Sequence, residues 1–278
     1  MDFLESMATS SRARCDAACT RRSYAEIERI AAAASAPSPL MLSHDGFDLI
    51  AEVKRSSPSA GQLAGADLSP VAQAASYAAA GVAAISVLTE PSRFDGELAH
   101  LESVSAEVAP VPAMRKDFLV APYQVLEARA SGASGVLLIA AMLDESALTD
   151  MLGVTLDLGM FALVEAFDEA DIEKSAPIID AAGPVFEAER CRMMMGVNCR
   201  DLRSLQVDFP RFDRLAKHLP PGMPWVAESG VTKPEQAAHV SALGYDLALV
   251  GTALMRADDP RNAANALLGA GRAAAPTG

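Results

Sequence analysis

Eight short β-type runs recur along the chain with helix-type segments between them, and this alternation limits the folds open to it. The runs are "LIAEV" (from Leu49), "AAISVLT", "VPAMR", "GVLLIA", "FALVEA", "MMGVN", "WVAES" and "LALVG". The intervening stretches, such as "DLSPVAQAASYAAAG", "PYQVLEARASGA" and "TKPEQAAHVSALG", have helical periodicity, and several close on a glycine suited to a left-handed C-cap. Strands alternating with helices over short connections read as parallel strands joined by crossovers. Eight such units close a (β/α)8 TIM barrel of the α/β class. An open doubly wound sheet is the alternative, but it normally carries a glycine fingerprint after its first strand, and this chain has none there.

Residues 1–46 precede the first run and read as an N-terminal helical extension, and residues 47–278 as the barrel, in one domain overall. In the extension, "SYAEIERIAAAAS" has a helical pattern, with Ser23 as N-cap and Glu26 three residues on; "APSPLMLSHDG" then breaks it. The stretch from the fifth run to the sixth is longer than one crossover helix needs. It predicts a helix starting near Asp168 plus an extra loop or turn around residues 183–190, a surface insertion.

The formal net charge of -13 argues against nucleic acid or an anionic membrane as a partner held by the global field. An anionic substrate would need local cations. Four cysteines in so long a chain are no disulfide framework. Cys15 and Cys19 would share a helix face, yet no second ligand pair stands at zinc-like spacing, so no metal is expected. The N-terminal stretch lacks the apolar core of a signal peptide, and no run approaches the roughly 20 apolar residues of a membrane span. The chain reads as cytoplasmic.

Residues two apart on a strand share a face. In the first run Ile50, Glu52 and Lys54 therefore lie together, while Ala51 and Val53 face the other way. Helices cover the outer face of a parallel barrel and demand apolar residues there, so Glu52 and Lys54 must look into the mouth. They stand at the strand's C-terminal end, where such barrels place their chemistry. The same parity pairs Met114 with Lys116, Leu163 with Glu165, Gly196 with Asn198 and Val226 with Glu228. Five strands thus aim polar groups at one place. Phosphate signals follow the last two strands: Ser229-Gly230 before a helix beginning near Pro234, and Gly251-Thr252 before another helical turn. Ser57 and Ser59 offer hydroxyls that could close over the same anion. Lys54, Lys116 and Arg200 supply the local cations.

Seven blocks in order make the chain resemble the indole-3-glycerol phosphate synthase family over roughly residues 48–258: "IAEVKRSSPSAG", "SVLTEPSRFDGELAHL", "MRKDFLVAPYQVLEARASGASGVLLI", "LVEAFDE", "GVNCRDL", "VAESGVTKPEQ" and "LVGTALMRADDP". The resemblance implies decarboxylating ring closure of 1-(2-carboxyphenylamino)-1-deoxyribulose 5-phosphate, without metal or organic cofactor. It makes Lys116 the general acid and Glu165 its carboxylate partner in proton transfer. Lys54 would bind the anthranilate carboxylate, and Glu52, Asn198 and Glu228 would orient the lysines and the substrate hydroxyls. Arg200 would steer the carboxylate; Ser57, Ser229, Gly230, Gly251 and Thr252 would hold phosphate; Phe94, Phe118 and Pro58 would pack on the aromatic ring. The chain departs from the family at "NCRDL", where Cys199 replaces an amide and by parity faces the helix layer, and at Ala60, where a lysine is common. These departures leave open a specialised or non-catalytic paralogue binding a related phosphosugar. An isomerase-like barrel is disfavoured, because two lysines and three acids exceed what isomerisation needs.

Overall fold

Two capping boxes open the chain's helices in the computed structural model, which describes residues 2–57, 61–62, 69–200, 202 and 206–276. Asp2 and Glu5 exchange backbone and side-chain bonds at the start of α1 (Phe3–Arg21), and Ser23 and Glu26 do so at α2 (Tyr24–Ala33). The helical extension read from sequence is present as two helices, of which the sequence reading gives bounds and a cap to α2 alone. The buried stripe of α1 is Met7, Ser11, Cys15 and Ala18, mostly small or polar residues that carry no apolar period.

The chain then enters β1 (Leu40–Met41) and β2 (Asp48–Val53), followed by the short hairpin strands β3 (Ser56–Ser57) and β4 (Gly61–Gln62). Beyond α3 (Pro70–Ala78) come β5 (Ala84–Leu88), α4 (Pro91–Phe94), α5 (Leu98–Val108), β6 (Ala113–Lys116), α6 (Pro122–Ala130) and β7 (Gly135–Ile139). Next are α7 (Glu145–Asp157), β8 (Phe161–Ala166), α8 (Glu169–Ala182), β9 (Phe186–Glu187), β10 (Arg190–Cys191) and β11 (Met193–Asn198). The last units are α9 (Arg211–Leu215), β12 (Trp225–Glu228), α10 (Pro234–Ala242), β13 (Leu247–Val250), α11 (Thr252–Met255) and α12 (Pro260–Ala274). The eight runs read from sequence are β2, β5, β6, β7, β8, β11, β12 and β13, and they close a parallel barrel in that cyclic order.

Strand parity sorts the core into two layers. Leu49, Ala51, Val53, Ile85, Val87, Val136, Val164 and Val197 pack outward with the helices. Ile50, Met114, Leu137, Leu163, Met194, Val226 and Leu249 fill the barrel interior. No helix among the described residues is long and apolar enough to cross a membrane.

The long segment before β11 carries the surface turn expected from sequence, at residues 188–189, but builds more than a loop around it. Asp168 caps α8 as expected, but the chain then forms a hairpin whose strand β10 pairs with β1, giving a three-stranded antiparallel sheet in the order β1-β10-β9. Leu40 lies opposite Cys191, and both are buried in the interior cluster. The sheet thus ties residues before the first barrel strand to the approach of β11. The sequence marks a turn here but not a hairpin, because Ala188, not glycine or asparagine, occupies its left-handed position at φ 54°.

The helix α1 docks by polar contacts. Tyr123 Oη donates to the carbonyl of Arg22 (2.9 Å), and Gln124 Nε2 donates to Ser11 Oγ (2.9 Å). Arg14 grips the buried Asp117 carboxylate with both terminal nitrogens, at 2.9 and 2.8 Å. Burial acts to raise the Asp117 carboxyl, but Arg14 and Arg115 outweigh it and pull it down to about 2. A depressed carboxylate adds stability above its unfolded value and loses it as pH falls. The unfolding free-energy gap between wild type and Asp117→Asn is therefore widest above about pH 4 and narrows by about 2 kcal/mol towards pH 2. Denaturant titrations across that range check this; a gap independent of pH contradicts it.

Candidate active site

Five strand ends bring their inward side chains together at the C-terminal mouth, around a cavity of about 500 Å³. Glu52 ends β2, Lys116 ends β6, Glu165 stands near the end of β8, Asn198 ends β11 and Glu228 ends β12. Lys54 follows β2 directly and lines the same space. So do Phe94, Phe118, Arg200, Ser229, Gly230, Gly251 and Thr252. Ser57 has a described backbone in β3 but no described side chain, and Pro58, Ser59 and Ala60 lie outside the described residues.

Lys116 is the hub. Its Nζ lies 3.1 Å from Glu228 Oε2 and 3.5 Å from Glu165 Oε2, and both carboxylates are buried. Burial alone would lower its proton affinity, but Glu228, Glu165 and Glu52 together outweigh that and hold the ammonium above the ordinary lysine range. Glu228 moves up as well: burial and the neighbouring Glu165 carboxylate raise it well above the ordinary range against the pull of Lys116. Two carboxylates beside one ammonium favour keeping a proton between them. Glu52 moves the other way, since Lys54 and Lys116 outweigh its burial and lower it. Lys54 forms an ion pair with Glu52.

The Asn198 side chain bridges two parts of the wall. Its Nδ2 donates to Glu165 Oε2 at 3.1 Å, and its Oδ1 accepts the backbone N–H of Arg200 at 2.9 Å. Arg211 donates to the Asn198 carbonyl from α9 at 2.9 Å, fixing the root of the loop that carries Arg200. Cys199 points into the outer core layer as parity requires, and burial pushes its thiol up to about 12, far from a reactive thiolate.

The two loops that the sequence marks as phosphate signals are built differently from each other. Ser229 and Gly230 are both left-handed, at φ 64° and 72°; for a serine this is an unusual conformation of the kind found at functional sites. The helix α10 begins at Pro234 as expected. Gln236 Oε1, however, already accepts the N–H groups of Thr232 (2.8 Å) and Lys233 (3.1 Å). The Ser229-Gly230 turn, rather than those two amides, is therefore the part free to face an anion. Gly251 passes close to the β2 charges, and a methyl there would lie 2.2 Å from Glu52 Oε1.

Sequence reasoning missed several wall residues. Leu137 and Ile139 of β7 line the cavity and were open to the same parity rule, but being apolar they drew no attention. Phe3 reaches the wall from α1, its ring edge-on to Phe118 at 5.9 Å, and a contact so distant in sequence leaves no local pattern. Leu202 and Arg256 also line the space. Together these groups offer a charged ammonium acid, acceptors within reach of it, an apolar aromatic wall and a polar turn.

The family model described as indole-3-glycerol phosphate synthase matches residues 4–267. That span takes in α1 and α2, so the helical extension belongs to the family pattern beyond the motif-bearing 48–258. An indole-3-glycerol phosphate synthase of Mycobacterium leprae is 45% identical over 263 residues, covering 93% of this chain and 91% of the relative. Indole-3-glycerol phosphate synthase 1 of Streptomyces coelicolor is 44% identical, covering 82% and 79%. Among solved structures, 3-hexulose-6-phosphate synthase from Salmonella typhimurium superimposes with a TM-score of 0.63 at 12% identity, over 82% of this chain and 100% of that one, a likeness of fold alone.

Gly196 faces inward on β11 and leaves room for the hub. A methyl there would lie 2.1 Å from Glu228 Oε1, the far end of a flexible side chain. In Gly196→Ala the carboxylate moves and the barrel stays, with an unfolding free energy within about 3 kcal/mol of wild type. A crystal structure of the variant should show Glu228 out of hydrogen-bond reach of Lys116; a retained contact contradicts this.

Proposed function

Because the chain belongs to the indole-3-glycerol phosphate synthase family, we propose that it converts 1-(2-carboxyphenylamino)-1-deoxyribulose 5-phosphate to indole-3-glycerol phosphate, releasing carbon dioxide and water. The observation that carries this reading is the Lys116 ammonium, held charged 3.5 Å from Glu165 inside the barrel mouth.

Ring closure joins the carboxylate-bearing aromatic carbon to the sugar carbonyl, whose oxygen must take a proton as the bond forms. Lys116 gives that proton. An ammonium held above the ordinary lysine range rests with its proton in place, so Lys116 begins the reaction as a donor and not as a neutral base. The donation is driven by its fixed contact with the oxygen, since the raised affinity by itself weakens the acid. The ring now carries positive charge next to the carboxylate, and the C–C bond electrons return to the ring as carbon dioxide leaves. The new hydroxyl then departs as water, taking a second proton from the Lys54 ammonium, which the departing carboxylate has freed, while the adjacent carbon loses one. Glu165, oriented by Asn198, accepts that last proton. Glu228 and Glu52 hold the lysines in place.

Lys54 and Arg200 bind the substrate carboxylate, and Phe94 and Phe118 flank the aromatic ring with Pro58. Ser57, Ser229, Gly230, Gly251 and Thr252 take the phosphate. Local cations let an anion enter a chain of net charge -13, and that charge argues against nucleic acid as a partner. We place the activity in the cytoplasm.

Purified protein without added metal forms the fluorescent indole product from the carboxyphenylamino substrate. Lys116→Met lowers turnover by at least about a hundredfold, while inorganic phosphate binds within about threefold of wild type. Absence of product from the wild type contradicts the proposal.

A further inference from the structure

Asp117 takes no part in the chemistry proposed above, yet it stands between two residues that do. Lys116 and Phe118, on either side of it, both line the cavity. Its carboxylate is wholly buried and accepts five hydrogen bonds. Three come from the barrel: Thr89 Oγ1 (2.8 Å) and Arg115 Nη2 (3.1 Å) to Oδ2, and the Phe118 N–H (2.8 Å) to Oδ1. The other two come from Arg14 on α1, one to each oxygen. Arg14 thus supplies, besides the turn's own amide, the bond that fixes Oδ1. Such a bidentate grip sets the plane of the carboxylate as well as its position.

The rest of α1 acts on the same turn. Phe3 packs edge-on against Phe118, which meets Phe94 at 6.1 Å. The charge pair is not the helix's sole anchor, since Met7, Cys15, Ala18 and the Tyr123 bonds also seat it. The bidentate pair also bears on the residue next to Lys116, whose ammonium must stay within reach of two carboxylates. Displacements of about 1 Å at such a group are costly to turnover.

We propose that Arg14 is a positioning residue for the reaction: through Asp117 it fixes the turn from which Lys116 and Phe118 project into the cavity. This rests on the functional reading above, and the test separates the two. Full-length Arg14→Gln and Arg14→Lys are compared with wild type by amide hydrogen exchange and by steady-state kinetics. In Arg14→Gln, exchange over residues 113–119 rises while residues 225–230 are unchanged. Its kcat falls about tenfold or more with KM within about threefold, and Arg14→Lys, keeping the charge, recovers part of the loss. Unchanged exchange over 113–119, or a kcat loss that only follows the fraction unfolded, overturns the proposal. If Arg14→Gln fails to fold, wild-type exchange and kcat in Arg14→Lys overturn it equally. If the wild type makes no product while exchange responds as stated, the functional reading falls and the hold on the turn stands.

Discussion

A buried ammonium between two buried carboxylates is the constraint around which the rest of this molecule is arranged. Lys116 lies 3.1 Å from Glu228 and 3.5 Å from Glu165. Unpaired, any one of these charges would cost several kcal/mol so far from water. The trio must therefore be held from several strands at once, and a closed parallel barrel does this by bringing β6, β8 and β12 to one rim. Local details follow from the same demand. Gly196 leaves space for Glu228, Gly251 leaves space for Glu52, and Asn198 ties Glu165 to the Arg200 backbone.

The electrostatics give the trio a direction. Lysine and glutamate in contact could in principle exchange a proton either way. Here Glu228, Glu165 and Glu52 outweigh burial and raise Lys116, so the site rests with its ammonium charged, while burial and Glu165 raise Glu228 against the pull of Lys116. That resting state fits a reaction that first gives a proton to a carbonyl oxygen. The wider surroundings extend the hold: α1 reaches over the mouth, and its Arg14 meets the carboxylate immediately after Lys116.

Much of this was legible from local pattern because strand parity is a local rule. Glu52, Lys54, Lys116, Glu165, Asn198 and Glu228 could be assigned to one mouth by counting in twos along their strands. The same rule sent Cys199 to the helix layer. What parity cannot reach is pairing across long stretches of chain. Arg14 and Asp117 are separated by 103 positions, and no periodicity links them. The extension reads as helical, but the bounds and buried face of α1 hide because that face includes serine, cysteine and alanine. The β9–β10 strands hide inside what reads only as a turn, because Ala188 adopts a conformation usually announced by glycine. In each case a tertiary contact overrides a weak local preference.

The charge state of Lys116 tests the central claim most directly. Protein labelled with 13C at lysine Cε, with the Lys116 signal assigned from Lys116→Arg, is followed by NMR as pH rises. The arrangement described here keeps that signal in its charged form beyond the ordinary lysine value of about 10.4. A Lys116 signal that turns neutral at or below that value would contradict the account.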